Sequence, residues 1–282
     1  MIAICPNPYR DGNLEITRQA KSLLENEGLQ TAICPVFVGQ DDRSVLPGDL
    51  SYEDFSRVEK DCTLALAVGG DGTLLTVVRS MSREDLPVLG INLGTKGFLA
   101  ELEPDNLSAL TALGGGYPVC SWRMMLDMEV IRDGECVFRD CALNDVVVHG
   151  YGECIRIHAW CDGEKVTSFQ GDGVILATPT GSTGYSMSAG GPIVEPDAKN
   201  IIISPICAHM MSARSFVLDP ERTVNIRLEK LYGRRAYVSV DGNYVLDLDN
   251  GDQVIVKKSR RCLPMAELGS RSFFEIAYKK LT

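Results

Sequence analysis

Residues 63–68 read Thr-Leu-Ala-Leu-Ala-Val and run directly into Gly69-Gly70-Asp71-Gly72-Thr73, after which Leu74–Met81 is again apolar. A continuous apolar run of this length suits a strand covered on both faces, as in a parallel sheet flanked by helices. The neighbouring sequence supplies the rest of such a sheet. Met1–Cys5 is a short apolar strand. Leu14–Glu27 carries apolar residues at 14, 16, 20, 23 and 24, which is helical spacing, and Gly28 ends it. Thr31–Val38 reads as a second strand, Ser51–Glu59 as a short helix, and Pro87–Asn92 as the next strand. Alternation of this kind predicts a Rossmann-like, doubly wound α/β domain over residues 1–112.

The texture changes at Gly114-Gly115-Gly116-Tyr117-Pro118, a turn-rich stretch. Beyond it the apolar runs are short and many. Asp133-Gly134, Asp162-Gly163 and Asp241-Gly242 each sit between such runs, a hairpin signal, and Asn250-Gly251 repeats the theme. Residues 113–258 are therefore expected to form a mainly-β, sandwich-like domain. Ser272-Phe273-Phe274-Glu275 has the form of a capping box opening a helix through Lys280. The segment 259–282 is expected to return to the first domain or to the seam, burying Phe273, Phe274 and Ile276.

A chain of 282 residues is long enough for two domains and needs no disulfide to hold a core. Its 28 Lys and Arg against 38 Asp and Glu give −10, which argues against a nucleic-acid partner bound through its phosphates. A small anion can still be held by backbone N–H groups and helix N-termini. The start has no basic, apolar leader pattern, and no apolar run reaches the length of a bilayer span, so a cytoplasmic protein with no membrane partner is expected. The ten cysteines are scattered without a C-x-x-C pair, and only Cys207 and His209 lie close together, so they read as reduced thiols in apolar roles, with no protein metal site. His149, His158 and His209 read as structural.

Four segments carry chemistry. In Gly69–Thr73 the glycines let backbone N–H groups approach a phosphate, and the helix that follows adds its dipole. Gly69, Gly70, Gly72 and Thr73 are the candidate phosphate-binding loop. A carboxylate here, Asp71, is repelled by phosphate unless it binds metal or takes a proton from a reacting hydroxyl, both roles in phosphoryl transfer. The alternative is a tight strand-to-helix turn with Asp71 as N-cap. The second segment, Asn92-Leu-Gly94-Thr-Lys96-Gly97-Phe98-Leu99, follows a strand at the same edge. Phe98 either covers a substrate or simply packs. The third is Asn144-Asp145 between Ala142-Leu143 and Val146–Val148, where polar side chains inside an apolar run are costly unless satisfied. They suit an adenine edge and ribose hydroxyls, or else mark a bulge or strand end. The fourth is Gly171-Asp172-Gly173 followed by Thr178-Pro-Thr180-Gly-Ser-Thr183-Gly184-Tyr185-Ser186-Met187-Ser188, whose hydroxyls and N–H groups suit nucleotide recognition rather than a plain surface loop.

GGDGT at 69–73, INLGTKGFL at 91–99, ALNDVVV at 142–148, DGVILATPTGSTGYSMSAGGPIV at 172–194 and SPICAHMMSARSFVL at 204–218 together resemble the bacterial NAD kinases, ATP:NAD 2′-phosphotransferases, from about residue 1 to 280. GGDGT alone is shared with diacylglycerol and sphingosine lipid kinases; the TPTGSTGY run is far more specific. The resemblance implies NAD and ATP (or polyphosphate) as substrates, a divalent ion, Mg²⁺, arriving with ATP, and a homodimer or homotetramer. It implies that Asp71 is the catalytic carboxylate at the adenosine 2′-hydroxyl and that Gly72 lies against the dinucleotide. Asn144 and Asp145 match the family's NAD-binding Asn-Glu pair, and Asp172 a residue near the nicotinamide end. Thr180 and Thr183 to Ser188 match the loop around adenine, with Cys207 and Asn243 as further contacts. Three positions depart from the pattern. Asp145 stands where the family has Glu, one methylene longer, which points to a water-bridged ribose contact. Gly184 replaces Ala, and Gln170 stands where a basic, phosphate-contacting residue is common. Two rival readings are a lipid kinase of the GGDGT superfamily and a non-catalytic NAD(P)-binding sensor. The acidic chain and the TPTGSTGY run speak against the first, and Asp71 against the second.

Overall fold

The computed structural model describes residues 1–37, 42–94, 97–210, 213–228, 231–269 and 272–281. Val38, Thr95, Lys96, Met211 and Ser212, which fall in segments singled out above, lie outside the described residues. The chain divides into two compact units, residues 1–122 with 263–282, and residues 123–262.

The first unit opens with β1 (Ile2–Pro6), α1 (Glu15–Asn26), β2 (Thr31–Ile33), α2 (Phe55–Val58), β3 (Leu64–Gly69), α3 (Asp71–Ser80) and β4 (Val88–Asn92). Its strands are parallel in the order β2-β1-β3-β4. Every residue of β1, β3 and β4 is buried, the expected state of strands with both faces covered. Leu66, Ile4, Leu89 and Leu24 are among the fully buried side chains of this core, each contributing about 1.5–3 kcal/mol of burial. Helix α1 starts one residue later than its apolar spacing suggests, because Leu14 is left-handed with φ 53°. Asp11 supplies the missing cap, accepting the N–H groups of Ile16 and Thr17. The expected strand 31–38 is regular only to Ile33, although Val36 N–H still donates to Pro6 O. The expected helix 51–59 begins at Phe55, where Asp54 caps it.

The second unit is built from β5 (Val119–Arg132), β6 (Glu135–Ala142), β7 (Asp145–Gly150), β8 (Ile155–Cys161), β9 (Glu164–Gly171), β10 (Gly173–Ala177), the single turn α4 (Tyr185–Ser188), β11 (Ile201–Ile206), β12 (Phe216–Leu218), β13 (Val224–Leu228), β14 (Ala236–Val240), β15 (Asn243–Leu248) and β16 (Gln253–Glu267). One sheet runs β12-β11-β10-β7-β14-β15; facing it are β16, β13, β8 and β9 in that order, with β5 against β16 and β6 against β5. Alternate side chains of both sheets, such as Val146, Val148, Leu176, Ile157 and Ile226, form the core of a sandwich. Three Asp-Gly hairpins take the left-handed conformation at both turn residues: 133–134, 162–163 and 241–242. Each closes with a two-residue turn, for example Val240 opposite Asn243.

Near its C-terminal end β16 joins the parallel sheet of the first unit, Met265 lying opposite Val88, and α5 (Phe273–Leu281) follows. Its capping box is formed in both directions, Ser272 N–H to Glu275 Oε2 and Glu275 N–H to Ser272 Oγ. The expected burial is not met: α5 has no buried residue, and Phe274 is 67% exposed. The capping signal is local and held, whereas burial depends on what lies beside the helix.

Candidate functional site

In the first unit the candidate residues gather at the carboxyl ends of β3 and β4, the edge where ligands of open α/β sheets bind. Helix α3 begins at Asp71, three residues before the apolar run, and Gly70 is its N-cap residue. Asp71 is therefore not the cap. Its carboxylate instead reaches the loop after β4, accepting the N–H groups of Phe98 at 2.9 Å and Leu99 at 3.2 Å. Burial pushes its pKa up, and those N–H groups together with the charge of Lys280 pull against that rise.

The glycines divide by role. A Cβ on Gly97 would lie 2.7 Å from Asn92 Oδ1 and 2.8 Å from Asp71 Oδ1, so only glycine lets the two strands' loops meet. Gly69 is buried against the Thr73 side chain, whose Oγ1 accepts from Asn7 Nδ2 at 3.2 Å. Gly69 and Thr73 thus hold the turn from within. Gly70 and Gly72 have open space where a side chain would stand and present backbone outward. Phe98 is half-buried.

In the second unit Asn144 and Asp145 lie at the start of β7 rather than inside it, so the strand-end reading of the pair holds for its backbone. Its side chains are another matter. Asp145 is 4% exposed, and its carboxyl is pushed up to about 7, first by burial and then by the neighbouring Asp241 carboxylate. Asn144 Oδ1 is buried without a hydrogen-bond partner, as is Thr180 Oγ1. Acceptors left this way are costly in a finished core. The loop after β10 closes on them. Thr178 N–H donates to Asn144 O at 2.9 Å, Thr178 Oγ1 donates to Leu143 O at 2.6 Å, and Gly181 N–H donates to Thr178 Oγ1 at 3.0 Å. At Gly184 a Cβ would stand 3.7 Å from Asn144 Nδ2 and 4.0 Å from Asp145 Oδ2.

Burial raises the Tyr185 pKa, and the charges of Asp172 and Asp145 add to the rise. The Tyr185 hydroxyl pairs with His149 Nε2 at 2.8 Å, and the two rings stack. Cys207 lies beside Asp172, which raises its pKa; Cys154 Sγ is 3.6 Å from Asp172 Oδ1 and 3.2 Å from His209 Nε2. All ten cysteines are free, and among the described residues no three His, Cys, Asp or Glu converge as a metal site. Not every residue of the expected loop faces this place. Ser186 is fully buried with its Oγ on Ser204 Oγ at 2.9 Å, while Thr183 and Met187 are half-buried and Ser188 is exposed. Gln170 offers its carbonyl to His209 N–H, and Asn243 is exposed, with Nδ2 donating to Asp241 O. Two residues beside these groups fall outside the expected site: His149, read as structural, and Asp241, read only as a turn residue.

The raised Asp145 carboxyl has a consequence for stability. Its folded-state pKa lies above that of an unfolded Asp, about 3.9. Its contribution is thus full below about pH 4 and is lost as pH rises through about 7. Asp145→Asn, which cannot ionise, is expected to be more stable than the parent at alkaline pH by on the order of 2–4 kcal/mol, with little gain at acidic pH. Thermal melts across the range check this; an equal change at all pH values would show that Asp145 does not titrate near neutrality.

Comparison with known proteins covers both units. Residues 2–113 match the ATP-NAD kinase N-terminal domain and residues 143–268 the ATP-NAD kinase C-terminal domain. The NAD kinase of Lachnoclostridium phytofermentans is 38% identical over 98% of this chain and 97% of its own length. That of Acetivibrio thermocellus is 34% identical over 99% and 96%. Among solved structures, a yeast NADH kinase complexed with NADH matches with a TM-score of 0.82 at 25% identity, over 99% of this chain and 85% of that one. An NAD kinase from Archaeoglobus fulgidus in complex with ATP shares the fold with a TM-score of 0.75 at 24% identity, over 100% and 99%.

Proposed function

This chain belongs to the NAD kinase family, and from that membership we infer that it moves the γ-phosphate of ATP to the 2′-hydroxyl of the adenosine ribose of NAD, making NADP. The observation that carries the reading to particular residues is the pair of orphaned buried acceptors, Asn144 Oδ1 and Thr180 Oγ1, beside the buried Asp145. A nucleoside supplies what they lack: an exocyclic amine for Asn144 and Thr180, and ribose hydroxyls for Asp145. Gly184 and Tyr185 lie beside this pair, and Thr183, Met187 and Ser188 complete the adenine loop. Asp172, with Cys207 next to it, takes the nicotinamide end. Gln170 and Asn243 are outlying contacts, and Phe98 covers the substrate.

At the other centre Asp71 accepts the proton of the 2′-hydroxyl as its oxygen attacks the γ-phosphorus and the β–γ bridging bond breaks. Burial suits it to that task by raising its affinity for a proton. Gly70 and Gly72 present open backbone, and the N-terminus of α3 favours the phosphates. Magnesium, brought in with ATP, would supply neutralisation of the charge that builds on the donor phosphates. Among the described residues no helix is long and apolar enough to cross a membrane. From family membership we place the protein in the cytoplasm as a homodimer or homotetramer.

One assay tests the reading: incubation with Mg-ATP and either NAD or diacylglycerol, with NADP and phosphatidate measured. NADP alone is expected. Phosphatidate would make it a lipid kinase, and neither product would leave a binding protein. Within the site, Asp145→Ala leaves a ribose hydroxyl unpaired, costing about 1–3 kcal/mol or roughly 5–150-fold in KM for NAD. The contact exists before and during transfer, so kcat should move little. Asp145→Glu, the residue common in the family, should be tolerated. A loss confined to kcat would instead place Asp145 at the reacting phosphate.

A further inference from the structure

The segment Leu143–Asp145 has every backbone polar group occupied by two residues. Thr178 takes the carbonyls of Leu143 and Asn144. Asp241 takes the rest. Its Oδ2 accepts Leu143 N–H at 2.9 Å, its Oδ1 accepts Asn144 N–H at 2.7 Å and Asp145 N–H at 3.1 Å, and its own N–H donates to Asp145 O at 3.0 Å. Asp241 itself is left-handed, φ 48°, at the first turn residue of the β14–β15 hairpin, which aims its side chain back across the sheet at the start of β7.

A turn needs Asp, Asn or Gly here for its conformation, and Asn would satisfy it. Three convergent N–H donors are a different demand. Only a carboxylate has two oxygens that accept and nothing that donates. The same choice puts a second negative charge beside the buried Asp145, an arrangement that costs stability.

We propose that Asp241 is a positioning residue of the dinucleotide site, holding the 143–145 backbone so that Asn144 and Asp145 point at the nucleoside. It acts through those two residues and does not touch the substrate. Its charge also makes the site responsive to pH. Among the described residues, the titratable groups facing Asp145 are Asp241, from the β14–β15 hairpin, and Tyr185, from α4. Of these, Asp241 disfavours ionisation of Asp145. The proposal rests on reading Asp145 as an acceptor for ribose hydroxyls, a role the ionised form fills far better than the acid.

The test is calorimetric titration of the full-length protein with NAD, without ATP, across the neutral range. NAD carries no group that titrates near neutrality, so any inflection in Kd belongs to the protein. In the parent, affinity should rise about tenfold between pH 6 and pH 8 as Asp145 ionises. Asp145→Asn should abolish that inflection. Asp241→Asn, with one acceptor oxygen and an NH₂ facing a backbone N–H, should weaken the alkaline plateau by about tenfold or more. It should also move the inflection down by about half a pH unit or more. A role in folding alone would lower the melting temperature without moving the inflection. Asp241→Glu keeps the charge but misplaces it, so the plateau should weaken while the inflection stays; this variant decides the matter if Asp241→Asn does not fold. An inflection present in the parent and unmoved in Asp241→Asn, or a parental plateau in Asp241→Glu, overturns the positioning role alone. The absence of any inflection in the parent, or its persistence in Asp145→Asn, overturns the ribose reading of Asp145 and the proposal with it.

Discussion

Asp71→Asn is expected to lower kcat by about 10²–10⁴-fold, the usual worth of a positioned base, with NAD affinity unchanged or improved. The carboxylate has two tasks, and the substitution touches both. As a base it must take a proton from a hydroxyl, and an amide cannot. As an acceptor it holds the N–H groups of Phe98 and Leu99. An asparagine oxygen can keep one of these, while its NH₂ opposes the other. Losing one such bond to a charged group costs about 1.5–3 kcal/mol of stability. The two effects separate by measurement. The melting temperature reports the loop, and kcat measured well below it reports the base. If Asp71 served only to tie the loop after β4 to α3, the melt would shift and kcat would stay near the parental value, which would end the assignment. Removing a negative charge from a site that takes anions is the reason affinity should not fall.

Much of the fold was legible because its signals are local and agree with one another. The apolar run before Gly69 makes a strand buried on both faces. The Asp-Gly pairs make two-residue hairpins, since left-handed backbone at both turn residues is what those residues tolerate. Ser272 and Glu275 cap α5 reciprocally. What failed depended on distant partners. The helix expected over Leu74–Met81 begins three residues earlier, at Asp71, because glycine costs little at a helix N-terminus and Gly70 serves as the N-cap residue. Thr73 and Ser186 lie in the expected binding loops, and their motifs do not announce that their hydroxyls turn inward to Asn7 and Ser204. The aromatic residues of α5 find no core. Asp241 is the clearest case. It carries the same Asp-Gly signal as Asp133 and Asp162, and nothing within its own hairpin says that it lies beside residues 143–145. That fact comes from β14 pairing with β7, a contact about a hundred residues apart in sequence.

The second large effect is expected at a glycine. Gly181→Ala should destabilise the protein by about 1–3 kcal/mol or more and raise KM for NAD by roughly 100-fold, whereas Gly184→Ala should leave both near the parental values. Both glycines sit in the Thr-Gly-Ser-Thr-Gly-Tyr run, and composition cannot rank them. Their surroundings do. A Cβ on Gly181 would run into the Asn144 carbonyl oxygen, with the carbonyl carbon at 2.6 Å and the Asn144 Cα at 2.8 Å. All three are backbone atoms, so no rotamer change relieves the clash. Nor can the strand end retreat cheaply, because that carbonyl accepts Thr178 N–H and the N–H groups on either side are held by Asp241. The chain must therefore shift where Asn144 and Asp145 are aimed. A Cβ on Gly184 meets Gly181 O at 3.3 Å and side-chain atoms only at 3.7 Å and beyond, a crowding of a few tenths of an ångström. Alanine is also the residue that related NAD kinases carry there, by the resemblance of this segment. Steady-state kinetics with Mg-ATP saturating, together with thermal melts of both variants, decide the point. Equal losses in the two would mean that the loop acts through its flexibility. A parental KM in Gly181→Ala would mean that the start of β7 does not contact NAD, because the substitution cannot be accommodated without moving it.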